Sequence, residues 1–245
     1  MRLQHAGMPN AGQSGFRIGL LACASTVLML AVVAASAYIR ASGGIDVQIA
    51  RGVHRATASS VALLVFALMA LAWGQPRLRV AASAAFVLML ALSAVGWITG
   101  TTPPPVAAFF NQSGGFLLTA LLAWIYGRTV YGLAAAPLAA GPDRKLALAA
   151  LGLASLQAAF GGTLAIFAPQ ASVAVLIAHA AAGLAVAAAV AALGWRYAAC
   201  AALAPTLGVI SVVLPAAAAP AGHALAGALL LACAAHAHAH ARASA

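Results

Sequence analysis

The chain has 245 residues, of which 65% are hydrophobic and 6% are charged, and its formal net charge is +10. A soluble domain carries far more charged surface, so the composition excludes a soluble domain and predicts a polytopic membrane protein. The lysines and arginines are scattered singly, which argues against nucleic-acid binding, and the three cysteines lie in apolar runs, which argues against a disulfide framework.

Apolar runs of about 20 residues, long enough to cross a hydrocarbon core about 30 Å thick, occur repeatedly along the chain. The first is too long for the apolar core of a cleaved signal peptide, about 7–15 residues, so we expect it to be retained. Breaks with Gly, Pro or charged residues separate the runs. The eight predicted helices span 18–39, 51–74, 80–100, 105–127, 146–168, 172–194, 197–217 and 221–240.

The longest connection, 128–145, divides the chain into two halves of four helices each. The N-terminal half is 18–127 and the C-terminal half is 146–240, with short tails at 1–17 and 241–245. We therefore predict an all-α membrane protein in which eight transmembrane helices form two pseudo-repeated four-helix bundles.

The basic residues predict the orientation of these helices. Only Arg40, Arg51 and Arg55 lie on the side where the even-numbered helices begin, and the other nine of the twelve basic residues lie on the opposite side. Cytoplasmic loops carry the excess of lysine and arginine in membrane proteins. Both termini are therefore predicted to be cytoplasmic.

A polar residue recurs near the outer end of each even-numbered helix. These residues are His54, Asn111, His179 and His223. Histidines inside a membrane cost free energy unless they are paired, and they mark candidate functional sites. Two imidazoles on facing helices can bind haem iron from opposite sides, and small residues beside His179 and His223 leave room for a ring. The alternative is that each histidine only forms a hydrogen bond with a neighbouring helix.

The three arginines at the outer side have two interpretations. Arg40, Arg51 and Arg55 surround the mouth of the N-terminal half, where they can pair with carboxylates such as haem propionates. Alternatively, Arg51 and Arg55 extend to the membrane interface without a ligand.

Three more histidines lie at the end of the last helix. His236, His238 and His240 alternate along the chain, which places successive members on different helix faces and disfavours a helical metal site. We expect them to form a frayed, cytoplasmic, non-functional tail, and whether they bind a metal stays open.

Several motifs in this order resemble the haem A synthase family of cytochrome oxidase assembly proteins. They are "SAYIRASGG" after helix 1, "ARGVHRATAS" in helix 2, "GWITGTTPPPVAAFFNQSGG" between helices 3 and 4, "LQAAFGG" with "LIAHAAAG", and "LGVISVVLP" with "GHALAGALLL". The resemblance covers about residues 20–240.

The resemblance implies a fold and an activity. Two four-helix bundles would carry histidines at the outer ends of the even helices, and His179 and His223 would hold haem b. His54 would belong to the substrate-side haem site, where the family converts haem O to haem A. It also implies a bacterial inner (plasma) membrane location and partners such as haem O synthase or cytochrome oxidase assembly factors.

Several positions depart from the family pattern. In helix 6, Ala180 stands where the family has an arginine, and the outer loop after helix 1 lacks the family's cysteine and aromatic motif. Asn111 stands where the family has a helix 4 histidine, although the following Gln112 is retained. Arg51 stands where it has a glutamate, the chain contains no glutamate, and Asp46 is the one acid on the outer side. Two alternatives therefore stay open: a b-type electron carrier that does not modify haem, and a haem-free membrane scaffold or transporter.

Overall fold

The computed structural model describes residues 11–42, 47–132, 142–167, 172–213 and 218–243. These residues form only helices and the connections between them. The helices are α1 (Ala11–Ala41), α2 (Val47–Ala72), α3 (Pro76–Thr99), α4 (Pro105–Gly132), α5 (Arg144–Phe167), α6 (Val173–Ala191), α7 (Trp195–Val213) and α8 (Ala218–Ala243).

The helices have the length and composition of membrane spans. Seven helices among the described residues are long and apolar enough to cross a bilayer; α7, which contains Pro205, is not among those seven. Large apolar side chains such as Leu63, Val80 and Leu148 remain exposed, as expected of surfaces that face lipid. The prediction of an all-α protein of the lipid bilayer is therefore confirmed.

Helix boundaries follow local chemistry, and several helices are longer than predicted. Helix α1 begins at Ala11, inside the segment predicted to be a tail. Helix α3 begins at Pro76, because proline fits the first turn of a helix, where its missing N–H is not needed. At the start of α5, the Asp143 Oδ1 accepts a hydrogen bond from the Leu146 N–H at 2.8 Å and so caps the helix.

The contacts between helices form two rings. In the first ring, α1 packs against α2, α2 against α3, α3 against α4, and α4 against α1. In the second ring, α5, α6, α7 and α8 pack in the same cyclic order. The rings meet through α4 with α8, α1 with α8, and α4 with α5. This set of three contacts is symmetric. If α1 is exchanged with α5 and α4 with α8, the same three helix pairs result.

Helix α8 lies at the centre of the structure. In its most apolar stretch 67% of the residues are buried, compared with 17 to 39% in the other spans. Most of its residues are alanine or glycine, and small side chains let helix backbones approach closely in a membrane. Helix α4 approaches α8 closely at Gly127, where an added Cβ would lie 2.8 Å from the Ala239 Cβ and 3.1 Å from the His236 carbonyl oxygen.

We expect Gly127→Ala to destabilise the protein by about 1–3 kcal/mol, because the new methyl group meets backbone that cannot turn away. The measurement is the free energy of unfolding in mixed micelles titrated with a denaturing detergent. Gly227→Ala on α8 is the matched control, since an added Cβ there meets nothing within 4 Å. Equal stability of the two variants would show that α4 and α8 do not approach closely at this position.

The up-and-down order gives the bundle two distinct ends. We call the end where α2, α4, α6 and α8 begin the histidine end, and the opposite end the arginine end. At the arginine end, Arg79, Arg128 and Arg196 each lie over a tryptophan ring, with guanidinium-to-centroid distances of 5.8, 5.8 and 5.9 Å. Tryptophan and arginine are enriched at membrane interfaces, so these pairs mark one boundary of the bilayer.

Candidate functional site

The structure brings the rings of His179 and His223 together at the histidine end. Their centroids lie 5.8 Å apart and their planes are inclined by 73°. The two histidines lie on α6 and α8, which approach each other across the second ring of helices. Two imidazoles that each place a nitrogen about 2 Å from one metal ion have ring centroids about 6 Å apart. The observed separation therefore matches that of two ligands to a single metal.

Small residues let the two imidazoles lie inside the second ring of helices. An added Cβ at Gly161 of α5 would lie 2.9 Å from the His179 Cε1, and one at Gly208 of α7 would lie 3.4 Å from the His223 Nδ1. The Phe160 ring contacts the His179 ring edge-on, with a centroid distance of 5.5 Å. His179 is half-buried and His223 is exposed, so protein atoms do not enclose either ring.

Gln157 of α5 orients the His179 ring. Its Nε2 lies 3.0 Å from the His179 Nδ1 and donates to the His179 carbonyl oxygen at 2.9 Å. The Gln157 Oε1 is buried and has no hydrogen-bond partner within the described parts of the chain. As placed, the Gln157 amide faces an unprotonated His179 Nδ1. In the opposite orientation, which gives up the bond to the His179 carbonyl, the Gln157 Oε1 accepts from the His179 Nδ1–H and leaves the His179 Nε2 unprotonated for a metal. The amide orientation thus selects the imidazole tautomer.

His54 has a corresponding partner in the first ring of helices. The Ser36 hydroxyl of α1 lies 3.2 Å from the His54 Nδ1. In both rings, therefore, the first helix supplies a polar side chain to the Nδ1 of the histidine on the second helix. The two rings of helices differ in the contact between opposite helices. In the second, α6 and α8 are in contact, whereas in the first, α2 and α4 are not in contact at any of their described residues.

The residue that corresponds to His223 in the first ring is Asn111, and it brings no imidazole. Its neighbour Gln112 accepts a hydrogen bond from the Arg40 Nη2 at 2.6 Å. The amide nitrogen of Gln112 also lies close to α5, 3.3 Å from the position of a Cβ added at Gly162. Arg40 and Gln112 therefore join α1 to α4 beside the junction of the two rings.

The other outer arginines are placed less closely. Arg51 is half-buried and Arg55 is exposed. On α2 they lie three residues before and one residue after His54. Arg40 and Arg55 are near enough to act electrostatically on the His54 ring. Asp46, the acid predicted on this side, lies outside the described residues.

The prediction that the last three histidines form a frayed segment is wrong. Helix α8 continues to Ala243, and His240 is only 5% exposed, so this segment is not a frayed tail. The His240 ring stacks on Tyr131 with a centroid distance of 3.8 Å, and His236 contacts the same tyrosine at 5.2 Å. Alternation along the chain hides the fact that positions 236 and 240 are one helical turn apart and share a face.

Within the described ranges, no three histidine, cysteine or acidic side chains come together as a metal site. At the histidine end, the described residues bring two imidazoles together. Comparison with protein-family models, with curated proteins and with solved structures finds no match.

The sequence alone did not identify several residues of this site. Each of these residues contacts a histidine on a neighbouring helix, and that neighbourhood is a property of the fold. They are Ser36, Phe160, Gly161 and Gly208. The signal available for the two glycines was their position at the same membrane depth as the histidines they contact.

Proposed function

We propose that the chain is a haem-binding protein of the haem A synthase type, which holds one haem b between His179 and His223 at the outer side of a bacterial inner (plasma) membrane. The observation that carries the proposal is the pair of imidazoles from α6 and α8 with ring centroids 5.8 Å apart. The sequence motifs and their order along the chain support the same family.

The donor set favours haem over a bare metal ion. A structural zinc ion usually takes four protein ligands and a catalytic one takes three. Haem iron has four porphyrin nitrogens already and needs one or two axial ligands, which histidines commonly supply. Two imidazoles at this separation are sufficient for haem and insufficient for a protein zinc site.

The chain's own residues prepare this site in distinct ways. His179 and His223 would each offer a ring nitrogen to the iron, and Gly161 and Gly208 leave the room that the two imidazoles occupy. Gln157 holds the orientation of the His179 ring through its contacts with the Nδ1 and the carbonyl oxygen. Bound haem supplies a redox-active iron at this position.

The N-terminal half is proposed to receive the substrate, haem O. Helices α2 and α4 lie apart at their described residues, which leaves more space across this ring than across the second. Arg40, Arg51 and Arg55 provide cations for the propionates, and His54 provides one imidazole beside Ser36. Haem O synthase or other cytochrome oxidase assembly factors are the proposed partners, because they would deliver haem O and take up haem A.

The proposed topology is eight transmembrane helices in two pseudo-repeated four-helix bundles with both termini in the cytoplasm. The symmetric set of contacts between the two rings supports the repeat. The arginine–tryptophan pairs at the arginine end support a cytoplasmic position for that end.

The proposal is tested on protein purified after expression with ample haem. Pyridine haemochrome analysis is expected to give a b-type spectrum with about one haem per chain. Absence of haem from folded, helical protein would refute the proposal. Co-expression with a source of haem O, followed by extraction and chromatography of the pigments, tests for conversion to haem A.

A second candidate is a b-type electron carrier that does not modify haem. The observation that favours it is Asn111, which leaves His54 without a second imidazole in the N-terminal half. This candidate predicts a reversible haem redox couple and no haem A in the co-expression experiment.

We expect Gln157→Leu to weaken haem binding about 10- to 100-fold, because His179 loses the group that orients it. Haem affinity is measured by titrating haem into the apoprotein and following the Soret band. Gln157→Glu keeps an acceptor for Nδ1–H and is expected to retain most of the affinity. Unchanged affinity in Gln157→Leu would show that the amide does not position the ring.

A further inference from the structure

A pocket lies at the arginine end, far along the helices from His179 and His223. It has a volume of about 340 Å³ and is formed by α1, α4, α7 and α8. Its polar lining includes Tyr126, Tyr131, Tyr197, His236 and Arg196. Three of the chain's four tyrosines are thus gathered at one site. The proposed haem site does not use any of these residues.

The polar groups of this pocket form a connected cluster. The Tyr197 hydroxyl lies 3.3 Å from the His236 Nδ1. The His236 ring stacks on Tyr126 with a centroid distance of 5.5 Å and an interplanar angle of 27°. The Tyr197 hydroxyl also has Tyr131 as a side-chain hydrogen-bond partner. Two tyrosines and a neutral histidine have three donors between them, and their two mutual hydrogen bonds use two. The third remains to donate to a ligand.

The opposite wall of the pocket is apolar and accessible. Val27, Leu30 and Leu229 line it, and Val27 is 59% exposed on the outer surface of α1. A ligand can therefore enter from the lipid with its tail against α1 and its head against the tyrosines. A volume of about 300 Å³ is near the lower limit for small-molecule sites and suits a single-ring head group.

We propose that this pocket binds the head group of a membrane quinone. A quinone has a planar ring that stacks on aromatic side chains, carbonyl oxygens that accept hydrogen bonds, and an isoprenoid tail that remains in the bilayer. The rings of Tyr126 and His236 provide the aromatic surface. The hydrogen-bonded cluster around Tyr197 and His236 provides the remaining donor, and the accessible aliphatic wall lies where the tail would leave the pocket. The inference does not depend on haem binding.

The test is isothermal titration of the purified full chain in detergent with ubiquinone-1. Saturable binding of one equivalent is expected, and Tyr197→Phe and His236→Leu are each expected to weaken it about tenfold. Tyr38→Phe, at the histidine end of α1, is the matched control and is expected to bind normally. Val27→Trp fills the accessible side of the pocket without changing its donors and is expected to abolish binding.

Two results would overturn the proposal. One is the absence of saturable binding by protein whose circular dichroism shows intact helices. The other is displacement of ubiquinone-1 by phosphatidylglycerol together with sensitivity only to Arg196→Ala, which would assign the pocket to an anionic lipid. Haem content is measured on the same samples, so failure of this proposal and failure of the haem proposal are observed separately.

Discussion

His179→Ala and His223→Ala are each expected to reduce haem binding by about a hundredfold or more. Each change removes one of two imidazoles whose rings lie 5.8 Å apart, and losing a direct ligand costs more than the 10- to 100-fold typical of an orienting residue. The measurement is the haem-to-protein ratio after purification, followed by titration of haem into the apoprotein. Both variants should show the same loss, because either ligand alone leaves the site incomplete.

His54→Ala is the matched control for these two variants. It removes an intramembrane imidazole from the first ring of helices and leaves the second ring intact, so haem b is expected to remain. His223→Gly should regain haem when imidazole is added, because the free ligand enters the space left by the side chain. Normal haem content in both His179→Ala and His223→Ala would contradict the proposed site.

Gly161→Leu is expected to weaken haem binding roughly 5- to 150-fold while the helices remain folded. A Cβ at this position lies 2.9 Å from the His179 Cε1, so a larger side chain must displace the ring that serves as ligand. Overpacking of this kind typically costs about 1–3 kcal/mol, equivalent to roughly a 5- to 150-fold change in an equilibrium constant. The measurement is the Soret absorbance per mole of protein.

Gly152→Leu on the same helix provides the comparison. An added Cβ there meets nothing within 4 Å, and the residue is exposed on the lipid-facing surface. This variant should keep its haem and its stability. Equal haem loss in the two variants would indicate a general defect of α5 and would remove the argument for a specific contact with His179.

The sequence was sufficient to predict the helices, because an apolar run long enough to span a bilayer has few alternatives in a membrane. It also identified His179 and His223 as candidates, since both lie at one depth on even-numbered helices. It did not predict that Phe160, Gly161 and Gly208 would contact them. The pairs Ser36–His54 and Arg40–Gln112 depend on which helices are neighbours and how each is rotated, and apolar runs of nearly uniform hydrophobicity do not encode that rotation.

At the end of α8, too, the sequence does not show which side chains are in contact. In the sequence, His236 and His240 stand in an alanine-rich segment at the end of the chain. In the structure this segment lies at the centre of the helices, where Tyr131 packs against both rings. The tyrosine lies more than a hundred residues away in the sequence, so no local pattern could connect the two.

The most direct test of the central claim is the electron paramagnetic resonance spectrum of the oxidised, haem-loaded protein. Axial ligation of one iron by His179 and His223 predicts a low-spin, six-coordinate spectrum with bis-imidazole ligation, and a high-spin spectrum for any haem retained by either alanine variant. A high-spin, five-coordinate spectrum in the unmodified protein, or a low-spin spectrum unchanged by both substitutions, would contradict it.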